Sequence, residues 1–327
     1  MRASNFSWLV ISVLSVSVLS GCSRHEDSEK YYLVAANIRL PYWQSAGAGL
    51  RRAAGQFQVK SEFIGPDSYD PQGEANEFRR AVAAKPAGIL VSVADPNVMK
   101  PEIDSAIAAG IPVITIDSDA PDSKRLLFIG TNNYRAGTMG GQVAVKRLNG
   151  RGNVVFFSMP GQVNLDERLR GYKDVFANSP GIKIVEVVNI KGDSRIAFDK
   201  TEEYLSKKGK DKIDAFICLE ASAPKDVAEV VRRSKATDRV LIAMDTEQGT
   251  LDGIKDGTIA ATIAQKPFTM SFVGVHILDD LHHNKLPSLD RDWGNDPNSP
   301  IPNFVDTGAT LIDKSNVDQF KQGEGAG

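Results

Sequence analysis

The sequence predicts an α/β protein with two doubly wound parallel sheets, one in each half of the chain. Short runs rich in Val and Ile are apolar at odd and even positions alike, which is typical of strands buried on both faces of a parallel sheet. Amphipathic segments with helical spacing separate these runs, and the whole alternation occurs twice. The predicted strands span residues 31–37, 59–64, 88–93, 112–117 and 126–130 in the first series, and 153–158, 182–188, 215–219, 240–245 and 259–265 in the second.

Helices are predicted between the strands, where apolar residues recur with the helical period. They include residues 75–84, 98–109, 136–148, 169–177 and 227–234. Gly110 and Gly150 follow two of these segments and are expected to end them. Residues 286–303 are rich in Pro, Asp and Asn, which indicates an irregular segment, and 304–312 has the pattern of a last strand.

The first residues of the sequence indicate export. Arg2 precedes an apolar run that is shorter than the ~20 residues a membrane-spanning helix needs, which favours a secretory signal. Leu19-Ser20-Gly21-Cys22 follows and resembles the lipobox of bacterial lipoproteins, in which the cysteine thiol is acylated. An ordinary signal peptide with an incidental cysteine is the alternative. We predict a signal peptide over 1–21, a flexible tether over 22–30 and an extracytoplasmic, membrane-anchored lipoprotein.

Charge and the remaining reactive side chains exclude several classes of partner. The net charge is −2, with acidic and basic residues mixed along the chain, so nucleic acid is not expected as a partner. Cys218 lies in an apolar run and is predicted to be a buried, inert thiol; with Cys22 acylated, no disulfide is expected. His276, His282 and His283 have no cysteine or carboxylate ligand set at suitable spacing, so they predict a solvated helix end rather than a metal site. Neither a metal nor a cofactor is expected.

Polar residues follow the carboxyl ends of several predicted strands. In open α/β sheets, ligands bind beyond these ends. Two such sheets that face one another would form a cleft lined by Asn37-Ile38-Arg39, Asp117-Ser118-Asp119, Glu220, Asp245-Thr246 and Gln265-Lys266.

Several motifs, in order along the chain, carry a family resemblance from about residue 31 to about residue 320. They are Pro41-Tyr42-Trp43 after the first strand, residues 110–117 (GIPVITID), Arg168-Leu169-Arg170-Gly171-Tyr172, and residues 245–267 with DGIKDG and AATIAQKP. In these the chain resembles the type I periplasmic binding proteins, specifically the ribose/galactose-binding group related to the ligand domain of LacI-type repressors. Repressors of that group begin with a helix-turn-helix; a signal peptide is predicted here instead, which favours the exported receptor.

The resemblance implies two lobes joined by a hinge that the chain crosses three times. The expected N-terminal lobe comprises 31–131 plus 266–302, and the C-terminal lobe comprises 132–265 plus 303–320. Crossings are expected near residues 131–132, 265–266 and 302–303, and a disordered tail over 321–327.

The resemblance also implies the ligand-binding residues. Tyr42 and Trp43 match positions where the family stacks aromatic rings on a sugar, and packing under the first helix is the alternative for them. Hydroxyl-binding positions of the family correspond to Asp117, Arg168, Asp245 and Gln265. Carboxylates accept from adjacent hydroxyls, Arg donates through a planar fork, and Gln does both. A hinge role or helix capping is the alternative for Asp245 and Gln265, and an interdomain salt bridge is the alternative for Asp117 and Arg168.

Three positions depart from the family pattern and leave the identity of the sugar open. Glu220 stands where Asn-Asp is usual and could take over a hydroxyl contact. Asp193 lies in a stretch that lacks the usual second aromatic residue. Arg39 replaces a common Asn and is a candidate contact, with a salt bridge as the alternative; Asn164 is a weaker candidate.

The expected function is capture of a neutral sugar or polyol and its delivery to an ABC permease by a monomeric receptor. A sensor that presents the ligand to a kinase or chemoreceptor, including a small sugar-like signal, is the alternative. A glycoside-processing enzyme is less expected, because Arg168 and Gln265 are predicted to hold the carboxylates ionised and so deny the site a protonated general acid.

Overall fold

The computed structural model describes residues 25–294 and 296–320, which form two lobes, each built on a six-stranded sheet flanked by helices. This confirms the predicted fold class. The first sheet has the order β11-β5-β4-β3-β1-β2, and the second has the order β12-β10-β9-β8-β6-β7. The strands are β1 Lys30–Val34, β2 Lys60–Ile64, β3 Gly88–Val91, β4 Val113–Ile116, β5 Phe128–Gly130, β6 Arg151–Ser158, β7 Gly181–Asn189, β8 Ala215–Cys218, β9 Val240–Met244, β10 Ala261–Ala264, β11 Phe304–Asp306 and β12 Thr310–Ile312.

The central strands of both sheets are parallel and buried along their whole length. Every residue of β3, β4, β8 and β10 is buried, as expected for strands covered by helices on both faces. The helices are α1 Pro41–Phe57, α2 Pro71–Ala83, α3 Pro96–Ala108, α4 Asn133–Leu148, α5 Val163–Ala177, α6 Ser194–Ser206, α7 Pro224–Arg233, α8 Gln248–Asp256 and α9 Pro267–His283. Among the described residues, no helix is both long and apolar enough to cross a membrane.

Local sequence signals explain where the helices begin and end. The side chains of Asp70, Asp95 and Asn132 accept hydrogen bonds from backbone N–H groups in the first turns of α2, α3 and α4, which these helices cannot satisfy internally. Gly110 and Gly150 have φ values of 81° and 74° just beyond α3 and α4, as their predicted role as stops requires.

The last crossing between the lobes comes later than predicted. Phe304–Asp306 pairs in parallel with β5 in the first sheet, whereas Thr310–Ile312 pairs antiparallel with β10 in the second. The run 304–312 is therefore divided between the lobes, and placing 303–306 in the C-terminal lobe was wrong. A β-prone pattern does not specify its sheet, and the break falls at Gly308, whose φ of 81° few other residues adopt.

The predicted tether is only partly covered by the structure. Residues 25–29 pack on the first lobe rather than forming a flexible segment: Glu29 is buried and the His25 ring stacks on Phe57. The predicted signal peptide, Cys22 and the predicted tail over 321–327 lie outside the described residues.

Candidate functional site

A cavity of about 90 Å³ lies between the carboxyl ends of the two sheets. This is several times the ~10–15 Å³ that one water needs, so the cavity has room for a small molecule. Both lobes contribute to its wall. The lining includes Asn37, Tyr42, Trp43, Tyr69, Ser92 and Asp117 from the first lobe, and Met159, Gln162, Asn164, Arg168, Gly192, Glu220, Ser222, Asp245 and Gln265 from the second.

Asp117 and Asp245 occupy equivalent positions in the two lobes. Each follows the fourth strand of its lobe, β4 or β9, and each adopts a left-handed backbone conformation, with φ of 62° and 64°. Their amides donate to the carbonyl groups of Ile129 and Ile263 on the neighbouring strands. Both side chains are buried and line the cavity. Asp is one of the few residues that tolerate this conformation. The left-handed backbone and the need for a carboxylate acceptor at the cavity therefore favour the same residue type.

Arg168 is held beneath the cavity by the close packing of α4 on α5. A Cβ atom at Gly137 would overlap the carbonyl oxygen of Arg168, and one at Gly171 would overlap that of Tyr134. Arg168 is 2% exposed, and its guanidinium donates to Asn133 Oδ1 (2.8 Å), the carbonyl oxygen of Leu219 (2.7 Å) and Gln265 Oε1 (2.7 Å). These bonds fix its plane next to the two aspartates.

Gln265 connects Arg168 to Asp245. Its Oε1 accepts from Arg168, and its Nε2 donates to both carboxylate oxygens of Asp245 at 3.2 Å. Because an amide has one acceptor and one donor end, this pairing orients the side chain. The sequence-predicted residues Asp117, Arg168, Asp245 and Gln265 therefore meet in one place.

Burial raises the pKa of both aspartates. The pKa of Asp245 is raised to about 7, chiefly by burial; Arg168 opposes the shift and the charge of Asp117 adds to it. The pKa of Asp117 is also raised by burial, against the lowering effect of Arg168. Burial therefore opposes the ionised state that we expected Arg168 and Gln265 to favour in the two carboxylates. The cost of removing the two carboxylates from water is larger than the stabilisation that their ionised forms gain from the Arg168 guanidinium.

The aromatic pair lies at the cavity, in the first turn of α1. The Tyr42 hydroxyl donates to Asp117 Oδ1 at 2.6 Å, and the ring of Trp43 meets that of Tyr42 edge to face at 5.1 Å. Burial and the nearby aspartates raise the pKa of Tyr42, so its hydroxyl stays protonated and able to donate. Both rings are buried yet line the cavity, so packing and ligand contact are compatible here.

Two sequence candidates lie away from the cavity lining. The side chain of Arg39 is 73% exposed and forms an ion pair with Asp67, which fits the salt-bridge alternative; a ligand contact for Arg39 stays a prediction. Asp193 accepts from the amide of Arg195 and so caps α6, and its side chain is 42% exposed. The backbone of the preceding Gly192 lines the cavity instead.

Glu220 lines the cavity but its carboxylate has other partners. Its oxygens accept from the amides of Ser222 (2.6 Å) and Ala223 (2.8 Å), just before α7 begins. Burial raises the pKa of Glu220, while these amides and Arg168 oppose the shift. A hydroxyl contact therefore remains a prediction for Glu220.

Three residues connect the two lobes across the cleft, and sequence reasoning missed or underrated them. Gln162 Nε2 donates to the Tyr69 hydroxyl at 2.9 Å, and Asn164 Nδ2 approaches Asp117 Oδ2 at 3.4 Å. Tyr69 also lies against Gly192, where an added Cβ would sit 2.5 Å from the tyrosine Cβ. An aromatic residue in the polar loop after β2 was the available signal for Tyr69.

A further contact between the lobes lies outside the cavity. Glu247 Oε1, just before α8, accepts from the backbone amide of Tyr42 at 3.2 Å, in the first turn of α1. A carboxylate at a helix N-terminus is favoured by the free N–H groups and the helix dipole. In this structure the bond joins α1 of the first lobe to the residue before α8 of the second.

We expect Glu247→Ala to weaken ligand binding about 10-fold without removing a ligand contact. A hydrogen bond to a charged group contributes ~1.5–3 kcal/mol, and here that contribution favours the closed state to which the ligand binds. Calorimetric titration measures the affinity, and small-angle scattering of the ligand-free protein should show a larger radius of gyration. Asp252→Ala, on the exposed side of α8, is the control. An unchanged affinity in Glu247→Ala would show that the contact does not contribute to closure.

Comparison with known proteins shows that this chain is similar to periplasmic sugar-binding proteins. The sequence model of the periplasmic binding protein domain matches residues 31–285. The ribose import binding protein RbsB of Bacillus subtilis (strain 168) is 22% identical over 290 residues, which cover 84% of this chain and 93% of that protein.

Solved structures of sugar-binding proteins superpose along most of the chain. The arabinose-binding protein AraP of Geobacillus stearothermophilus is 33% identical, with a TM-score of 0.75 over 90% of this chain and 99% of that one. A solute-binding protein of an ABC transporter from Burkholderia graminis C4D1M, in complex with D-arabinose, is 27% identical, with a TM-score of 0.80 over 91% and 100%. These relatives are binding proteins rather than enzymes, and they do not favour the sensor alternative.

Proposed function

The chain belongs to the periplasmic binding protein family, whose members are extracytoplasmic, and on that premise we propose that it captures a neutral monosaccharide or polyol in the interlobe cavity. The observation that carries the proposal is the meeting of Asp117, Arg168, Asp245 and Gln265 with Tyr42 and Trp43 in the lining of one cavity between the lobes. The named ligands of relatives, ribose and arabinose, support it.

The chemistry of the cavity fits a polyhydroxylated ring. Sugar hydroxyls need acceptors and donors in planar arrangements, which carboxylates, a guanidinium and an amide provide. The C–H faces of the ring need an apolar wall, which Tyr42 and Trp43 supply at the first-lobe side. A cavity of about 90 Å³ favours a single sugar over an oligosaccharide.

The charges of the cavity favour a neutral ligand. Asp117 and Asp245 would repel an anion, while Arg168 would repel a cation. A charge-assisted hydrogen bond to a hydroxyl needs no ionic partner, and an analogue that leaves a buried charged group without a hydrogen bond is rejected.

We further propose that the closed receptor delivers its ligand to an ABC permease and that Cys22 anchors it to the membrane. The name of the Burkholderia relative supports the first part, and the sequence Leu19-Ser20-Gly21-Cys22 supports the second. A monomeric receptor suffices, because one chain supplies both walls of the cavity. Mass spectrometry of the N-terminal peptide from membranes would show whether Cys22 carries acyl chains.

A thermal-shift screen with pentoses, hexoses, deoxy-sugars and polyols tests the proposed ligand class. We expect at least one compound at ~100-fold excess over its Kd to stabilise the protein by ~2.7 kcal/mol, because a ligand that binds only the folded state adds RT ln(1 + [L]/Kd). Sugar acids and amino sugars of the same size are the matched controls and should shift the melting temperature less. If no neutral compound shifts it, the proposal fails.

A further inference from the structure

Four ionisable side chains meet on the first lobe, at the end of the sheet opposite the cavity. They are His25 and Glu29 on the segment before β1, and Asp279 and His283 on the last turn and a half of α9. One ligand atom from each lies within 4.8 Å of the other three. Because β1 begins at Lys30 and its carboxyl end faces the cleft, this cluster is separate from the ligand cavity.

We propose that this cluster is a binding site for a divalent transition-metal cation of the zinc class. His25 Nε2 lies 2.9 Å from Asp279 Oδ1, and His283 Nε2 lies 3.3 Å from Glu29 Oε1. Ligands at ~2.0–2.2 Å from a tetrahedral zinc ion lie about 3.4 Å from one another, so small adjustments would bring the four atoms into that geometry.

The protonation of His283 is compatible with a ligand role. Its Nδ1 lies 2.8 Å from the backbone carbonyl oxygen of Asp279, which can only accept, so Nδ1 carries the hydrogen. In the neutral ring this leaves the lone pair on Nε2, the atom that faces Glu29. A histidine that ligates a metal commonly donates its other N–H to a carbonyl in this way.

The carboxylates supply the second observation that points to a cation. Glu29 and Asp279 are 5% and 4% exposed. Glu29 Oε1 accepts from the Glu26 amide, but its Oε2 is buried without a hydrogen-bond partner among the described residues. Two buried carboxylates so close together need positive charge. Two neutral imidazoles, two carboxylates and one divalent cation sum to zero.

Neighbouring groups hold the proposed ligands in place. The His25 ring stacks on Phe57 with centroids 5.1 Å apart, and the Tyr31 hydroxyl donates to Asp279 Oδ1 at 3.2 Å. The sequence spacing hid the site, because His25 and Asp279 are 254 residues apart. Bound metal would clamp the chain next to the predicted lipid anchor onto α9, and so fix the first lobe relative to that anchor.

The test uses the full chain, purified in detergent without a polyhistidine tag and treated with a chelator. We expect it to bind one equivalent of Zn²⁺ in calorimetric titration, and Co²⁺ to give the strong visible absorption of a four-coordinate site. Glu29→Gln and His283→Ala should each weaken Zn²⁺ binding at least 10-fold. His282→Ala, which alters the adjacent histidine outside the cluster, should bind as the unaltered chain does.

The Glu29→Gln variant also separates a metal site from a pair of buried ion pairs. If the cluster holds only ion pairs, this variant melts at a lower temperature and Zn²⁺ has no effect on either protein. If it is a metal site, Zn²⁺ raises the melting temperature of the unaltered chain, and that rise is lost in Glu29→Gln. Absence of stoichiometric Zn²⁺ binding, or equal loss in His282→Ala, would overturn the proposal.

Discussion

Replacing Arg168 with methionine is expected to abolish ligand binding and to lower the free energy of unfolding by ~3–5 kcal/mol. The guanidinium donates hydrogen bonds to Asn133 Oδ1, the carbonyl oxygen of Leu219 and Gln265 Oε1, and Arg168 is 2% exposed. Its removal takes away the hydrogen bonds that these three acceptors receive from Arg168. It also removes the cation that lowers the pKa of Asp117 and of Asp245, so both carboxyls would become harder to ionise.

Arg170→Met is the matched control, because Arg170 lies on the same helix but is exposed and pairs only locally with Glu167. Exposed ion pairs of this kind contribute ~0–1 kcal/mol. Urea unfolding monitored by circular dichroism measures the stability, and titration with the sugar found in the thermal-shift screen measures binding. Equal effects in the two variants would contradict the assignment of Arg168 as the central donor of the cavity.

The ends of the strands determine how the candidate residues of the second lobe come together. Asp245 and Gln265 directly follow β9 and β10, and parallel strands bring their carboxyl ends to one edge. Their convergence therefore needs only the strand order. Arg168 was identified by family resemblance, and its geometry depends on the glycine contacts between α4 and α5.

The two candidates that lie away from the cavity lining stand where the direction of a side chain decides its contacts. Arg39 stands only a few residues from Tyr42, yet its side chain points to solvent and pairs with Asp67. Asp193 turns outward to cap α6, which leaves the backbone of Gly192 at the cavity. A sequence pattern gives the position of a loop residue along the chain, but loop dihedral angles decide which way it points.

Contacts between residues far apart in sequence could not be predicted at all. Tyr69 with Gln162, Tyr42 with Glu247, and His25 with Asp279 each join separate parts of the chain, and no periodicity relates their positions. The first two contacts join the two lobes, so their geometry depends on the arrangement of the lobes, which the local sequence does not encode.

Replacing Asp245 with asparagine is expected to remove ligand binding and, above pH 7, to stabilise the ligand-free protein. Asparagine tolerates the left-handed backbone at this position, so the change is electrostatic rather than conformational. One carboxylate that accepts from two hydroxyls is lost, and charge-assisted bonds contribute ~1.5–3 kcal/mol each, so we expect at least a 100-fold loss of affinity. Calorimetric titration measures that loss.

The stability change has a defined pH dependence. Burial raises the pKa of Asp245 from 3.8 to about 7, so the folded protein retains this proton where the unfolded chain has lost it. Stability of the unaltered protein therefore falls as the pH rises from about 4 to about 7, and it is constant above that range with respect to this group. Asparagine does not titrate, so the advantage of Asp245→Asn is absent near pH 4 and largest above pH 7.

The size of that advantage distinguishes a ligand-binding carboxylate from a structural one. A shift from 3.8 to about 7 corresponds to at most ~4 kcal/mol, and opening of the lobes reduces it by rehydrating Asp245. Urea unfolding of both proteins at pH 5 and pH 8 measures the difference. If Asp245→Asn is less stable than the unaltered protein at pH 8, the carboxylate stabilises the fold through its bonds with Gln265. That result would contradict our view that burial of this carboxylate beside Asp117 destabilises the ligand-free protein.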